Sequence, residues 1–294
     1  MVEQAISHKD VFLYEFDRLG YVLAKSILEK PLVDELLAAT NELENYFNAV
    51  DGRKANREGP RGFRYVFDEA TAASTYSYTN PGRNLIVDDF FSAHPAFTKL
   101  IGHPATLTFV KDVVLPPVTL NSAELRYRYK DSLTQPHMGG PTDARTSYRY
   151  VGEWMKDSNS GGLKKRTIDL VCVRVLYALH DIPRENGPLS VVPATHKSNF
   201  STPYKMDDPH LEPGMIPVPM KAGDAIFFTE NLRHGGFRNL LDTTRKTIHL
   251  IYSQDWAGSV SPVHFNGLMR FRQETWDALT PEQRALFPQA ELHS

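Results

Sequence analysis

Near residue 115 the spacing of apolar residues changes from a helical period to an alternating one, and that change limits the folds open to this chain. Upstream, Phe12, Phe16 and Leu19 recur at helical spacing and Gly20 closes the stretch. Leu32, Leu36, Leu37 and Leu43 mark a second amphipathic helix, and residues 95–114 a third, broken near Gly102-His103-Pro104. Downstream, residues 118–129 alternate, with Leu120, Ala123, Leu125 and Tyr127 among the apolar members. Residues 167–179, 189–192, 225–228 and 246–252 read as further strands between turns such as 181–187 and Gly223-Asp224. Thr280-Pro281-Glu282-Gln283 places a capping Thr, Pro at N1 and Gln at N3, opening a short helix to about Phe287. The expected fold is mainly β with flanking helices, the short strands forming a closed or double-sheet architecture. One domain is expected: a helical part at about 1–115, a β core at about 116–255 and a C-terminal extension at 256–294.

Composition narrows the function classes. Thirty-three Lys and Arg against 35 Asp and Glu leave a net charge of −2, which argues against a binder of nucleic-acid polymers. A single cysteine, Cys172, excludes a disulfide framework and a cysteine-built zinc site. No apolar run approaches the ~20 residues of a membrane span, and the first residues lack a signal-peptide pattern. A cytoplasmic protein without membrane association is expected. The 11 histidines beside one cysteine mean that a metal, if held, takes nitrogen and oxygen ligands.

Three segments carry candidate chemistry. The first is Gln135-Pro136-His137-Met138-Gly139-Gly140, after a strand. The second runs from Glu185-Asn186-Gly187-Pro188-Leu189 to Pro193-Ala194-Thr195-His196-Lys197. The third is Gly223-Asp224-Ala225-Ile226-Phe227-Phe228, then His234-Gly235-Gly236 and, eleven residues after His234, Arg245. In this order, and with Phe16-Asp17-Arg18-Leu19-Gly20-Tyr21-Val22 ahead of them, they resemble the phytanoyl-CoA dioxygenase family of non-haem Fe(II)/2-oxoglutarate oxygenases. The resemblance implies a double-stranded β-helix (jelly-roll, cupin-like) core. It also implies Fe(II), 2-oxoglutarate and O₂ as cofactors, with His137 and His234 as metal ligands. Arg245 would hold the far carboxylate of 2-oxoglutarate, a role that suits a guanidinium fork, with Thr247 assisting. Asn121, on the strand before the first motif, is a candidate contact to cosubstrate or substrate. His196 competes with His234 on type alone, but in the family pattern the His of that stretch is not a ligand.

The departure from the pattern is Gly139, which stands where the family carries its ligating carboxylate. Three readings follow: a lost iron site, a replacement carboxylate (Asp143 nearest, Glu153 and Asp169 more remote), or a deliberately open position. The motif H-x-G resembles the iron/2-oxoglutarate halogenases, which carry Gly or Ala there. Removing the carboxylate vacates a coordination position and one negative charge, and chloride restores both. The resemblance thus implies halogenation of an unactivated carbon, with Gly139 marking the halide site. The alternatives are a hydroxylase of the same family and a catalytically inactive binding module.

The overall pattern is similar to freestanding halogenases of nucleoside-antibiotic pathways, which chlorinate the sugar of a deoxyadenosine nucleotide. That implies a small-molecule substrate bearing a phosphate. The basic loop with Arg53, Lys54, Arg57, Arg61 and Arg64, and the cluster Lys164-Lys165-Arg166, are candidate phosphate contacts. Tyr127, Tyr129, Tyr148, Tyr150 and Trp154 are candidates for stacking on a base, or else core residues.

Overall fold

The computed structural model describes residues 8–49, 57–67, 84–138, 148–151, 167–198, 200, 202–204, 206–255 and 268–294. Helix α1 (His8–Leu19) ends at Gly20, whose N–H caps the Phe16 carbonyl at 2.7 Å. Strand β1 (Tyr21–Ala24) and helix α2 (Lys30–Ala49) follow. Then come strands β2 (Arg57–Glu58), β3 (Arg64–Phe67) and β4 (Asn84–Asp88), and helices α3 (Pro95–Thr98) and α4 (Pro104–Val113). The central strands are β5 (Val118–Arg128), β6 (Thr134–His137), β7 (Tyr148–Val151), β8 (Thr167–Leu170), β9 (Cys172–Ala178) and β10 (Leu189–Val191). Strands β11 (Ile216–Val218), β12 (Ala225–Phe228), β13 (His234–Gly236) and β14 (Arg245–Gln254) complete the core. The C-terminal part holds β15 (Arg270–Arg272), α5 (Gln273–Ala278), α6 (Pro281–Arg284) and β16 (Glu291–His293).

Among the described residues the large sheet runs β1-β12-β9-β14-β5-β4-β3-β2 and the small one β11-β10-β13-β6. Every neighbouring pair in both is antiparallel. The inner faces meet through Leu176, Ala178, Ile226 and Phe228 on one side and Leu189, Val191 and Val218 on the other, which makes a jelly roll. The outer face of the large sheet packs under the helices. Leu125 and Tyr127 of β5 join Phe16, Leu36 and Phe47 there, each fully buried aromatic or leucine contributing roughly 1.5–3 kcal/mol. Because side chains alternate along a strand, residues 124, 126 and 128 of β5 must face the other way, into the roll.

Three expectations change. The first 115 residues are not only helical: β1 pairs with β12, and β4 pairs with β5, so the N-terminal part widens the large sheet at both ends. Their short apolar runs carry no alternation long enough to separate strand from helix. Residues 167–179 are two strands rather than one, parting at Val171, with β8 paired to β7 and β9 to β12 and β14. The capping box at Thr280 is formed, with Gln283 N donating to Thr280 Oγ1 at 3.2 Å and Thr280 N to Gln283 Oε1 at 3.0 Å, but the helix stops at Arg284. The C-terminal part closes the helical side, where Phe271 meets Phe287 with ring centroids 4.9 Å apart. No helix among the described residues is long and apolar enough to cross a bilayer.

Candidate metal and cosubstrate site

The two family histidines meet across the small sheet. His137, at the end of β6, and His234, at the start of β13, are direct cross-strand partners with ring centroids 4.2 Å apart. The imidazole Nδ1 of His137 donates to the Gln135 carbonyl at 2.8 Å, and that of His234 to the Leu232 carbonyl at 2.7 Å. A carbonyl only accepts, so each Nδ1 carries the proton and each Nε2 keeps a lone pair, the tautomer of a metal ligand. Desolvation lowers the proton affinity of both rings; with His137 beside it, His234 falls to about 3. Both are therefore neutral donors at physiological pH. The close approach of β13 to β6 depends on Gly235, where a Cβ would lie 2.8 Å from the Thr134 carbonyl oxygen. Among the described residues no third His, Cys, Asp or Glu joins the pair as a metal-binding group.

The histidines open onto about 380 Å³ of empty space between the sheets, part of it continuous with solvent. Four of its lining residues are arginines, Arg126, Arg128, Arg174 and Arg245, and none of the described lining residues is a carboxylate. Arg245 opens β14, is buried, and donates through Nη1 to the Gly187 carbonyl and through Nη2 to Thr247 Oγ1 at 3.4 Å. Thr247 Oγ1 lies 3.0 Å from His249 Nε2. The carbonyl that meets Arg245 is set by the Asn186-Gly187 turn, which Asn186 Nδ2 anchors on Asn239 Oδ1 at 2.9 Å and the Thr243 carbonyl at 2.8 Å.

Behind the cavity lies a buried ionic network. Arg174 pairs with Glu230 and, at 3.4 Å, with Glu124, which also pairs with Arg126. Burial alone would raise the Glu230 carboxyl, but Arg174 and the imidazoles of His234 and His137 hold it down at about 2. Burial pushes Asp88, the cross-strand partner of Glu124, well above the usual carboxylate range, and the charge of Glu124 adds to it. Breaking such pairs one-sidedly costs about 3–5 kcal/mol, so Arg126 and Arg174 are held firmly beside the space.

The structure brings His137, His234, Arg245 and Thr247 together. Gly139, Asp143, Glu153, Arg53, Lys54, Lys164, Lys165, Arg166 and Trp154 lie outside the described residues. Asn121 does not line the cavity. It sits where the β5–β14 register shifts, and its Oδ1 accepts from Thr119 Oγ1 at 2.8 Å. Tyr127 is corrected from a substrate contact to a core residue: it is fully buried on the helix side and its hydroxyl donates to the Thr40 carbonyl at 2.7 Å. Arg61 and Arg64 pair with Glu274 and Asp89 instead of lining the cavity, and Arg57 lies in β2 opposite Tyr65. Asp169 of β8 is buried as acceptor for Gln254, also outside the cavity lining. Burial pushes the Cys172 thiol up to about 12, which leaves it inert.

Sequence reading missed Arg126, Arg128, Arg174, His249, Glu124 and Glu230. For all but Glu230, which lies in the turn after β12, the available signal was alternation with apolar neighbours such as Leu125, Tyr127, Val173, Val175 and Leu250 on strands too apolar to lie at an edge.

His196 is buried away from the cavity, its Nε2 donating to the Asp17 carbonyl of α1 at 3.0 Å. Burial lowers its proton affinity from 6.5 to about 4. The folded ring thus stays neutral while the unfolded chain takes up a proton, so stability falls as pH drops below 6.5 and the loss is complete near 4. In the metal-free protein, His196→Gln should remove up to about 3 kcal/mol of that acid loss. Denaturant unfolding at several pH values checks this, and parallel pH curves for parent and variant would refute it.

The family model described as phytanoyl-CoA dioxygenase (PhyH) matches residues 16–247. No curated protein sequence matches the chain. Among solved structures, HygX from Streptomyces hygroscopicus with nickel and 2-oxoglutarate bound is 21% identical, over 86% of this chain and 88% of that one, with a TM-score of 0.61. The non-haem α-ketoglutarate-dependent epimerase SnoN from nogalamycin biosynthesis is 18% identical, over 84% and 80%, at 0.54. The carbocyclase SnoK from the same pathway is 17% identical, over 85% of each chain, at 0.53.

Proposed function

The chain belongs to the phytanoyl-CoA dioxygenase (PhyH) family, and from that premise we propose that it is an Fe(II)- and 2-oxoglutarate-dependent halogenase acting on a freestanding small molecule. The observation that carries the reading is the pair His137 and His234 with glycine two residues after His137. Among the described residues, no carboxylate completes their donor set. Two neutral imidazoles with free Nε2 atoms fit a metal of this type, and Arg245 with Thr247 fits a carboxylate. The whole chain is taken to act as one catalytic domain, since helices and C-terminal part cover a single sheet.

His137 and His234 would hold the iron, Arg245 and Thr247 the far carboxylate of 2-oxoglutarate, and the position beside Gly139 a chloride. Iron with 2-oxoglutarate and O₂ supplies the oxidising power to cleave an unactivated C–H bond. The balance is 2-oxoglutarate, O₂, chloride, a proton and R–H giving succinate, CO₂, water and R–Cl. The protein binds, orients and excludes water. Phe228 serves the last task, packing on His234 with centroids 5.0 Å apart.

For the substrate, the proposal is the sugar of a deoxyadenosine nucleotide in natural-product biosynthesis. HygX has been solved with hygromycin B bound and SnoN with nogalamycin RO, which supports a small-molecule natural product. Arg57 of β2, Lys164 and Lys165 remain the candidates for a phosphate.

The test is anaerobic incubation with Fe(II), 2-oxoglutarate and deoxyadenosine nucleotides, followed by O₂ with chloride or bromide. The expected product gains the mass of whichever halogen is supplied. A gain of one oxygen regardless of halide means a hydroxylase, with Asp143 as the candidate third ligand. No iron binding and no succinate means a binding module.

A further inference from the structure

Arg128 stands directly across the antiparallel ladder from Arg245. Paired positions on neighbouring strands put their side chains on one face with Cβ atoms about 4.5–5.5 Å apart, and like charges there repel. Both arginines are 3% exposed and both line the cavity. The acceptors of Arg245 are neutral, the Gly187 carbonyl and the Thr247 hydroxyl, and its Nε finds no acceptor among the described residues. Arg245, buried with neutral acceptors and facing a second guanidinium, gains from an anion laid against it.

The opposing sheet makes room for this arrangement. Gly236 of β13 lies against the Arg128 guanidinium, and a Cβ at that position would run into it. Gly236 is two residues from His234, so Arg128 reaches across the cavity to the strand that carries a metal ligand.

We propose that Arg128 is a second guanidinium for the distal carboxylate of 2-oxoglutarate, closing on it from the strand opposite Arg245, with Gly236 leaving the space it needs. The inference rests on the proposed function, in which Arg245 holds that carboxylate. Desolvation and the charges of Arg128 and Arg126 depress the basicity of Arg245, which agrees with a pocket awaiting an anion.

The test is calorimetric titration of the nickel-loaded protein, without O₂, with 2-oxoglutarate and with 2-oxopentanoate, which has the same carbon chain but no distal carboxylate. Arg128→Gln is expected to weaken 2-oxoglutarate binding about 10- to 100-fold, the worth of a charge-assisted hydrogen-bond pair, and to leave 2-oxopentanoate within about threefold. Arg128→Lys keeps the charge but not the fork and should fall between parent and Gln, which preserves the test if the Gln variant misfolds. Equal weakening for both oxo acids, or none for either, overturns the inference. So does a loss confined to deoxyadenosine nucleotide binding, which would make Arg128 a substrate contact. If the parent fails to bind 2-oxoglutarate, the proposed function falls and the inference with it. If the parent binds and Arg128→Gln binds equally well, only the inference falls.

Discussion

Gly139→Asp should abolish halogenation while leaving iron bound. The substitution returns a carboxylate two residues after His137, in the position the family uses to ligate. A third protein ligand adds one negative charge, which removes the electrostatic reason for taking up a halide, and it fills the coordination position the halide needs. Iron affinity should hold or rise, because a carboxylate is a good oxygen ligand for this metal. Succinate formation should continue, and the halogenated product should drop below detection by mass spectrometry, with or without an oxygenated product in its place. Metal content by elemental analysis separates this outcome from a collapsed site. Persisting chlorination would show that the position beside Gly139 is not where halide binds. Asp143→Asn is the matching control: it should leave chlorination intact, and loss of iron there would identify Asp143 as the third ligand.

Much of the candidate site was readable as motif order. His137, His234 and Arg245 lie in different strands, and only their spacing and sequence context joined them. The geometry that unites them, β6 against β13 and Arg245 at the start of β14, belongs to the jelly-roll pairing that the family resemblance implied. The ionic lining was not readable in the same way. Glu124, Arg126 and Arg128 alternate with Ala123, Leu125 and Tyr127, and alternation fixes only that the two faces differ. In an antiparallel sheet the polar face is ordinarily the wet one. Here the small sheet covers it, and pairing between segments as distant as β10 and β13 creates that cover. The same face reversal explains Tyr127, which shares a strand with cavity residues yet points at α2. For Arg61 and Arg64 the missing information was tertiary: Glu274 and Asp89 are far away in sequence and take up their charge.

Arg245→Met should separate stability from function, and with opposite tendencies. Arg245 is buried opposite Arg128, and burial together with the charges of Arg128 and Arg126 makes its protonated form costly. Removing the charge relieves that repulsion, and methionine retains enough of the flexible stem to fill the space. What is lost is donation to the Gly187 carbonyl and to Thr247. Replacing an unneeded buried charge by an apolar side chain is often neutral or stabilising, so the unliganded variant should unfold within about 1 kcal/mol of the parent or above it. Binding of 2-oxoglutarate should suffer far more, by about 2–4 kcal/mol or roughly 30- to 700-fold, because the fork proposed to meet its far carboxylate is gone. Denaturant unfolding of the metal-free protein and calorimetry of the nickel-loaded protein read the two quantities independently. A stability loss above about 3 kcal/mol with little change in affinity would assign Arg245 to the architecture, as the tether of the Asn186-Gly187 turn. The expected pattern, a stable scaffold with a weakened cosubstrate site, is that of a residue retained at a cost to the empty fold for the anion it holds.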